Sequence, residues 1–183
     1  MDDRSFSRVR LVGTACVAAA EWAFLAWQHA HGGVSSHHFL DRADMPALSN
    51  GWGALVLPGM AWFLLGRVQR RVASRGGAST RGAAVGFLGA LGFGVLLSVF
   101  FTRGDDQVTG TMFESLFLVA LVVPIYRAEY LLGFVLGMGY TFGGVLPGVV
   151  GSVLALVLWV IHRYLRTGLL FLGRRLVGRA RRA

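Results

Sequence analysis

Residues 130–162 form a tract of 33 residues without one Asp, Glu, Arg or Lys. A helix that crosses a bilayer needs about 20 mostly apolar residues, so this tract is too long for one crossing. It is interrupted by Phe142-Gly143-Gly144-Val145-Leu146-Pro147-Gly148, a strong helix-breaking signal. The tract therefore divides into two helices, 128–143 and 148–166. At about 1.5 Å per residue the first barely crosses the hydrocarbon. A re-entrant half-helix is the alternative there.

Four further apolar tracts precede it. Residues 11–28 are apolar apart from Glu21 and Gln28, 45–66 and 82–102 carry no charge, and 107–126 carry only Glu114. With 55% hydrophobic and 15% charged residues, the chain falls well below the roughly 25% charge of soluble domains. The expected fold is all-α: a polytopic membrane bundle of about six transmembrane helices near 10–29, 47–66, 82–102, 108–126, 128–143 and 148–166. This transmembrane domain occupies 1–166, with a His-rich outer loop at 30–46 and a tail at 167–183.

The 18 basic residues are all arginine. A GC-rich, bacterial genome accounts for that without any functional role. Six crossings from a cytoplasmic N-terminus place 16 of the 18 on the inner side, all but Arg42 and Arg103, as the positive-inside rule requires. Both termini are then cytoplasmic, and the chain belongs in the inner membrane. The first apolar run continues past Ala18-Ala19-Ala20 to Trp27, so it reads as a retained helix and not as a cleaved signal peptide. The net charge of +9 fits this topology, and no nucleic-acid partner is expected. In the tail, arginines interleave with Leu169, Leu170, Phe171, Leu172, Leu176 and Val177, which suits an amphipathic helix on anionic inner-leaflet lipids. The single cysteine, Cys16, excludes an intrachain disulfide and reads as a packing residue.

Twenty-six glycines punctuate the apolar tracts. Gly82/Gly86, Gly133/Gly137 and Gly144/Gly148 are small-xxx-small pairs, a spacing that lets helices approach closely in lipid. Such faces could meet within one chain, in a homo-oligomer or in a larger membrane complex. Phosphate binding is the weaker reading, since no run has the lysine of a phosphate loop.

Chemistry-capable side chains crowd the first outer loop: His29, His31, His37, His38, Asp41 and Asp44. Ser35 or Ser36 could cap a short outer-face helix ending before Pro46. On that helix His37, Asp41 and Asp44 share one face, and His38 meets Asp41. Imidazole with carboxylate one turn away is half of a divalent transition-metal site, for zinc, iron or copper. His29 and His31 could complete it from a turn.

Glu21 and Glu114 are the carboxylates inside apolar spans. A charge at that depth costs at least about 2.5 kcal/mol and faces a cavity or a partner. With Asp105 and Asp106 they could line one outward pocket with the histidines, Glu21 or Glu114 carrying the proton. Glu114 could instead cap its helix. At the inner edge, Arg127 and Glu129 could neutralise each other or contact neighbouring helices. His162 reads as an interfacial residue.

Three functions follow. The first is a metal-dependent membrane enzyme acting on a lipid or other membrane-borne substrate, with a metal-bound hydroxide as nucleophile. The second is a small transporter or channel built on the broken pair around Gly143–Gly148. The third is a noncatalytic accessory subunit. No nucleophile elbow, zincin motif, phosphate loop or dinucleotide fingerprint is present.

Overall fold

The computed structural model describes residues 3–34, 36–38, 47–75 and 77–168. Among them lie six α-helices: α1 (Asp3–Ala30), α2 (Gly53–Arg75), α3 (Gly77–Thr102), α4 (Asp106–Val122), α5 (Ala128–Phe142) and α6 (Val145–Val160). A strand β1 (Ser36–His38) and a strand β2 (Ala47–Ser49) form an antiparallel pair between α1 and α2. Four segments are long and apolar enough to cross a membrane: Phe6–Ala30, Asn50–Ser74, Ser79–Thr102 and Val145–Gly168. Helices α4 and α5 have 17 and 15 residues. They are therefore only about 25 and 22 Å long.

The outside of the bundle is apolar. Trp22, Leu55, Trp62, Phe63, Leu88, Leu118 and Leu156 are all exposed. In water such a belt would drive association. In lipid tails it has no such tendency, so the four long segments and the belt are both compatible with a membrane protein. Cys16 is exposed on the same outer surface, so it is not a packing residue of the bundle.

Side-chain contacts define two ends. At one, the basic end, Arg10 reaches α2, Arg71 meets Glu129 and Tyr130 packs on Gly86. At the other, Glu21 reaches Gly53, and Phe101 and Phe142 meet edge-on with ring centroids 4.8 Å apart. Helices α3 and α5 thus run parallel and pack closely. The Gly133/Gly137 pair is the reason. A Cβ at Gly133 would strike the carbonyl oxygen of Phe87, and one at Gly137 that of Leu91. Gly94 receives the Phe134 carbonyl in the same way. These glycines therefore pack inside one chain. Gly82 faces open space, so only the Gly86 half of its pair joins the interface.

The helix limits follow local chemistry. Asp105 caps α4 by accepting from the Val108 N–H at 3.1 Å. Pro124 lies two residues beyond the end of α4, where it lacks the N–H needed to continue the helix. The break in the long uncharged tract is narrower than its sequence implies. Only Gly143 and Gly144 lie outside helix, and Pro147 sits in the first turn of α6. Proline is tolerated there because first-turn amides have no partner within the helix. Gly143 has φ +70°, a left-handed conformation that side-chain-bearing residues avoid.

The loop after α1 departs from the expected short helix. Its residues Ser36, His37 and His38 are extended and pair with Ser49, Leu48 and Ala47. The i, i+4, i+7 face of His37, Asp41 and Asp44 therefore does not start from helical backbone. Cross-strand pairing satisfies the backbone groups that a helix would have satisfied internally. Asp41 and Asp44, and the tail beyond Gly168, lie outside the described residues.

Candidate functional site

Among the described residues Glu21 is one of two buried carboxylates, with 6% of its surface exposed. It sits on α1, level with the start of α2. A single turn of 3-10 helix, Asn50–Trp52, opens α2, and the Ser49 hydroxyl caps it by accepting from the Gly51 N–H at 3.2 Å. This turn brings Gly53 against the Glu21 carboxylate. A Cβ at Gly53 would run into Glu21 Oε1 and would lie 3.7 Å from the Gly144 nitrogen. Trp22, the next residue on α1, donates its indole N–H to the Ala54 carbonyl at 3.1 Å. That carbonyl lies four residues before Pro58, which has no N–H to offer it. The tryptophan takes the missing donor's place and locks α1 to α2 beside the glutamate.

The gap between α5 and α6 completes the surroundings. Asn50, 3% exposed, packs its amide on Gly143, where any Cβ would collide with it. Leu57 fills the space at Gly144 in the same way. Glu21, Asn50, Gly53, Gly143 and Gly144 thus form one junction of α1, the start of α2 and the α5–α6 gap. Glu21 Oε1 is buried there and has no hydrogen-bond partner among the described residues. On the same helix, Gln28 Oε1 is also buried without a partner, as is Thr14 Oγ1. A buried polar atom left unpaired costs about 1–3 kcal/mol.

Of the other sequence-derived candidates, His29, His31, Asp105, Asp106 and Glu114 do not join this junction, and Asp41 and Asp44 lie outside the described residues. His29 is exposed in the last turn of α1. His31 folds back on that turn: its Nδ1 donates to the Trp27 carbonyl at 2.9 Å and its ring stacks on Trp27 with centroids 4.8 Å apart. It thereby closes a helix end. His37 and His38 lie on β1. Asp105 is spent on its cap, while Asp106 and Glu114 are exposed on α4. Glu114 does not cap the helix, because Asp105 holds that position. Among the described residues, no three His, Cys, Asp or Glu side chains gather closely enough to hold a metal ion.

No protein-family model matches the chain, and no curated protein or solved structure is similar to it. The site therefore has to be read from its own geometry.

At the basic end, Glu129 pairs with Arg71 and not with Arg127. Arg71 Nη1 donates to both carboxylate oxygens, at 2.6 and 2.8 Å. Residues 127 and 129 are two apart at the start of a helix, so they project about 200° from each other. Glu129 therefore points into the bundle, where α2 supplies the guanidinium. Nearby, His162 lies in a π-helical stretch, Ile161–Leu165. Its Nδ1 donates to the Ala120 carbonyl at 2.6 Å, and its Nε2 accepts from Arg166 at 3.2 Å. The Ala120 carbonyl is the one that Pro124 leaves without a donor. His162 is thus a structural latch and not simply an interfacial residue.

Sequence reasoning reached Glu21 through its depth in an apolar run. It missed Asn50, Gly53 and the Arg71–Glu129 pair. The one signal available for the first two was the Asn50-Gly51-Trp52-Gly53 run itself, rich in turn-forming residues ahead of an apolar helix.

Proposed function

We propose that this chain is a small transporter or channel of the inner membrane, in which Glu21 binds and releases a proton or small cation. The observation that carries this reading is the buried Glu21 carboxylate, whose Oε1 has no hydrogen-bond partner among the described residues, at a break between two helices. Discontinuous helices leave backbone groups free to contact cargo within a membrane, and intramembrane carboxylates mark ion and proton paths. The N-terminal ends of α2 and α6 both lie beside Glu21. Their dipoles favour the ionised carboxylate, while burial opposes it. Gln28, two turns further along α1, offers a second oxygen without a partner among the described residues, toward the outer end.

In this reading the chain crosses the membrane six times with both termini cytoplasmic, which puts the arginine-rich end inside. The short α4 and α5 cross with local thinning of the bilayer. A metal-dependent enzyme using zinc, iron or copper would need the loop histidines to converge with Asp41 and Asp44. Among the described residues no geometry favours it, so the carboxylate reading stands ahead.

Purified protein in liposomes tests this directly. A potassium gradient with valinomycin imposes a potential, and a trapped pH dye reports proton entry. Wild-type protein is expected to raise the flux, and Glu21→Gln to abolish the increase. An undiminished flux in Glu21→Gln would overturn the assignment. Sodium replaces the pH dye as the probe if wild-type vesicles carry no protons.

A further inference from the structure

A second site stands at the basic end, far from Glu21 along every helix. A cavity of about 400 Å³ opens between α2 and the start of α5. Three guanidiniums line it, Arg67, Arg71 and Arg127, against one carboxylate, Glu129. That carboxylate is already held through both oxygens by Arg71. Among the described residues, neither Arg67 nor Arg127 has a carboxylate partner. Arg67 leans over the Phe63 ring, its Cζ 5.8 Å from the centroid. Arg127 occupies the N-cap of α5 without a side-chain cap bond. The first helical bonds of α5 run from the amides of Tyr130 and Leu131 back to the Arg127 carbonyl. The amides of Ala128 and Glu129 come before them, at the positive end of the helix dipole.

The same cavity also has apolar lining. Phe63, Leu64 and Leu131 line it beside the arginines, and Leu131 also lines an apolar cleft of about 240 Å³ between α3, α4, α5 and α6. Arg67 and Arg71 both lie toward the end of the membrane-capable segment Asn50–Ser74, which on the six-crossing reading sets the cavity at the membrane edge. Guanidiniums match phosphate oxygens in pairs. Basic pockets between helices at this level suit anionic headgroups.

We propose that this cavity binds the phosphate headgroup of an anionic phospholipid, with Arg67 and Arg127 as the direct ligands. Arg71 is a positioning residue: its Nη1 is held by Glu129, and it adds positive charge to the cavity wall. The occupant is a lipid and not free phosphate because the polar cavity shares a wall with an apolar cleft. This site is independent of Glu21, and either can fail without the other.

The full chain in a zwitterionic detergent can be titrated with phosphatidylglycerol, phosphatidylcholine or inorganic phosphate, and bound lipid counted by native mass spectrometry. Phosphatidylglycerol is expected to bind more tightly than phosphatidylcholine. Removing both ligands, in Arg67→Gln/Arg127→Gln, is expected to weaken the tightest phosphatidylglycerol site about twentyfold. Arg67→Lys/Arg127→Lys retains the charge and is expected to lose far less. Arg174→Gln/Arg175→Gln, in the tail, controls for headgroups attracted elsewhere and is expected to leave that tightest site unchanged. The exposed position of Arg67 makes Arg67→Gln alone a safe second variant, with a smaller loss expected. Unchanged phosphatidylglycerol affinity in the glutamine variants would overturn the proposal. So would equal binding of phosphatidylcholine, or inorganic phosphate that displaces the lipid at matching concentration.

Discussion

Two glutamates are buried in this bundle, and they are treated in opposite ways. Glu129, 3% exposed, has a guanidinium on both oxygens. Glu21, 6% exposed, has an oxygen with no partner among the described residues. Both carry the same desolvation cost in kind. At the basic end an arginine from another helix offsets it, and the charge becomes a strut between α2 and α5. At the other end small residues and backbone surround the acid, and its charge state is left open. A helical bundle can thus bury one residue type both paired and with an oxygen left unpaired, and the neighbour decides which.

The contrast can be broken most sharply at the strut. Arg71→Ala leaves Glu129 buried and alone, and is expected to cost about 3–5 kcal/mol of stability. Thermal unfolding of wild type and variant in the same micelle measures this. Replacing the pair together, Arg71→Met with Glu129→Leu, should restore most of the loss. A cost below about 1 kcal/mol for Arg71→Ala would mean that the pair is not a fastener.

A smaller effect is expected in the parallel α3–α5 contact beside it. Gly137→Leu forces a side chain onto the Leu91 carbonyl and should cost about 1–3 kcal/mol. Gly82→Leu, with nothing within 4 Å of its added Cβ, should cost almost nothing. Equal costs would show that the glycines act through helix propensity and not through packing. Below that in size comes His162→Ala, which strips the donor from the Ala120 carbonyl and should cost about 1–2 kcal/mol. The same unfolding assay reads it.

The smallest stability effect belongs to Glu21. Glu21→Gln should leave unfolding within about 1 kcal/mol of wild type, because no partner is lost, while ion flux disappears. A large loss of stability instead would expose a hidden partner and make the two glutamates alike.

Much of the fold could be read from the chain because uncharged tracts longer than a bilayer leave few alternatives. The α5–α6 break was legible too, since Gly143-Gly144 ahead of Pro147 leaves few other placements. Helix limits were less so: α2 continues past the apolar tract to Arg75, because arginines at a helix end can extend toward water while their stems stay in lipid. The histidine loop misled. Spacing of three and four fits a helix face, yet Ser36–His38 pair with a strand from beyond Pro46, a contact that local spacing does not encode. Of the site, Glu21 was legible as an acid in an apolar run. Its neighbours were not, because Gly53, Gly143 and Gly144 act by having no side chain. The Arg71–Glu129 pair was hidden for a different reason. Arg71 was one of many arginines explained by topology, and 58 residues separate it from its acid.

The two proline-freed carbonyls have a consequence for how the protein is made. Ala54 is served by Trp22, which precedes it in the chain, so its donor is already made when α2 forms. Ala120 is served by His162, which is synthesised 42 residues later. Until His162 is made, the Ala120 carbonyl lacks this donor. Chains truncated before His162 are therefore expected to hold the end of α4 less firmly.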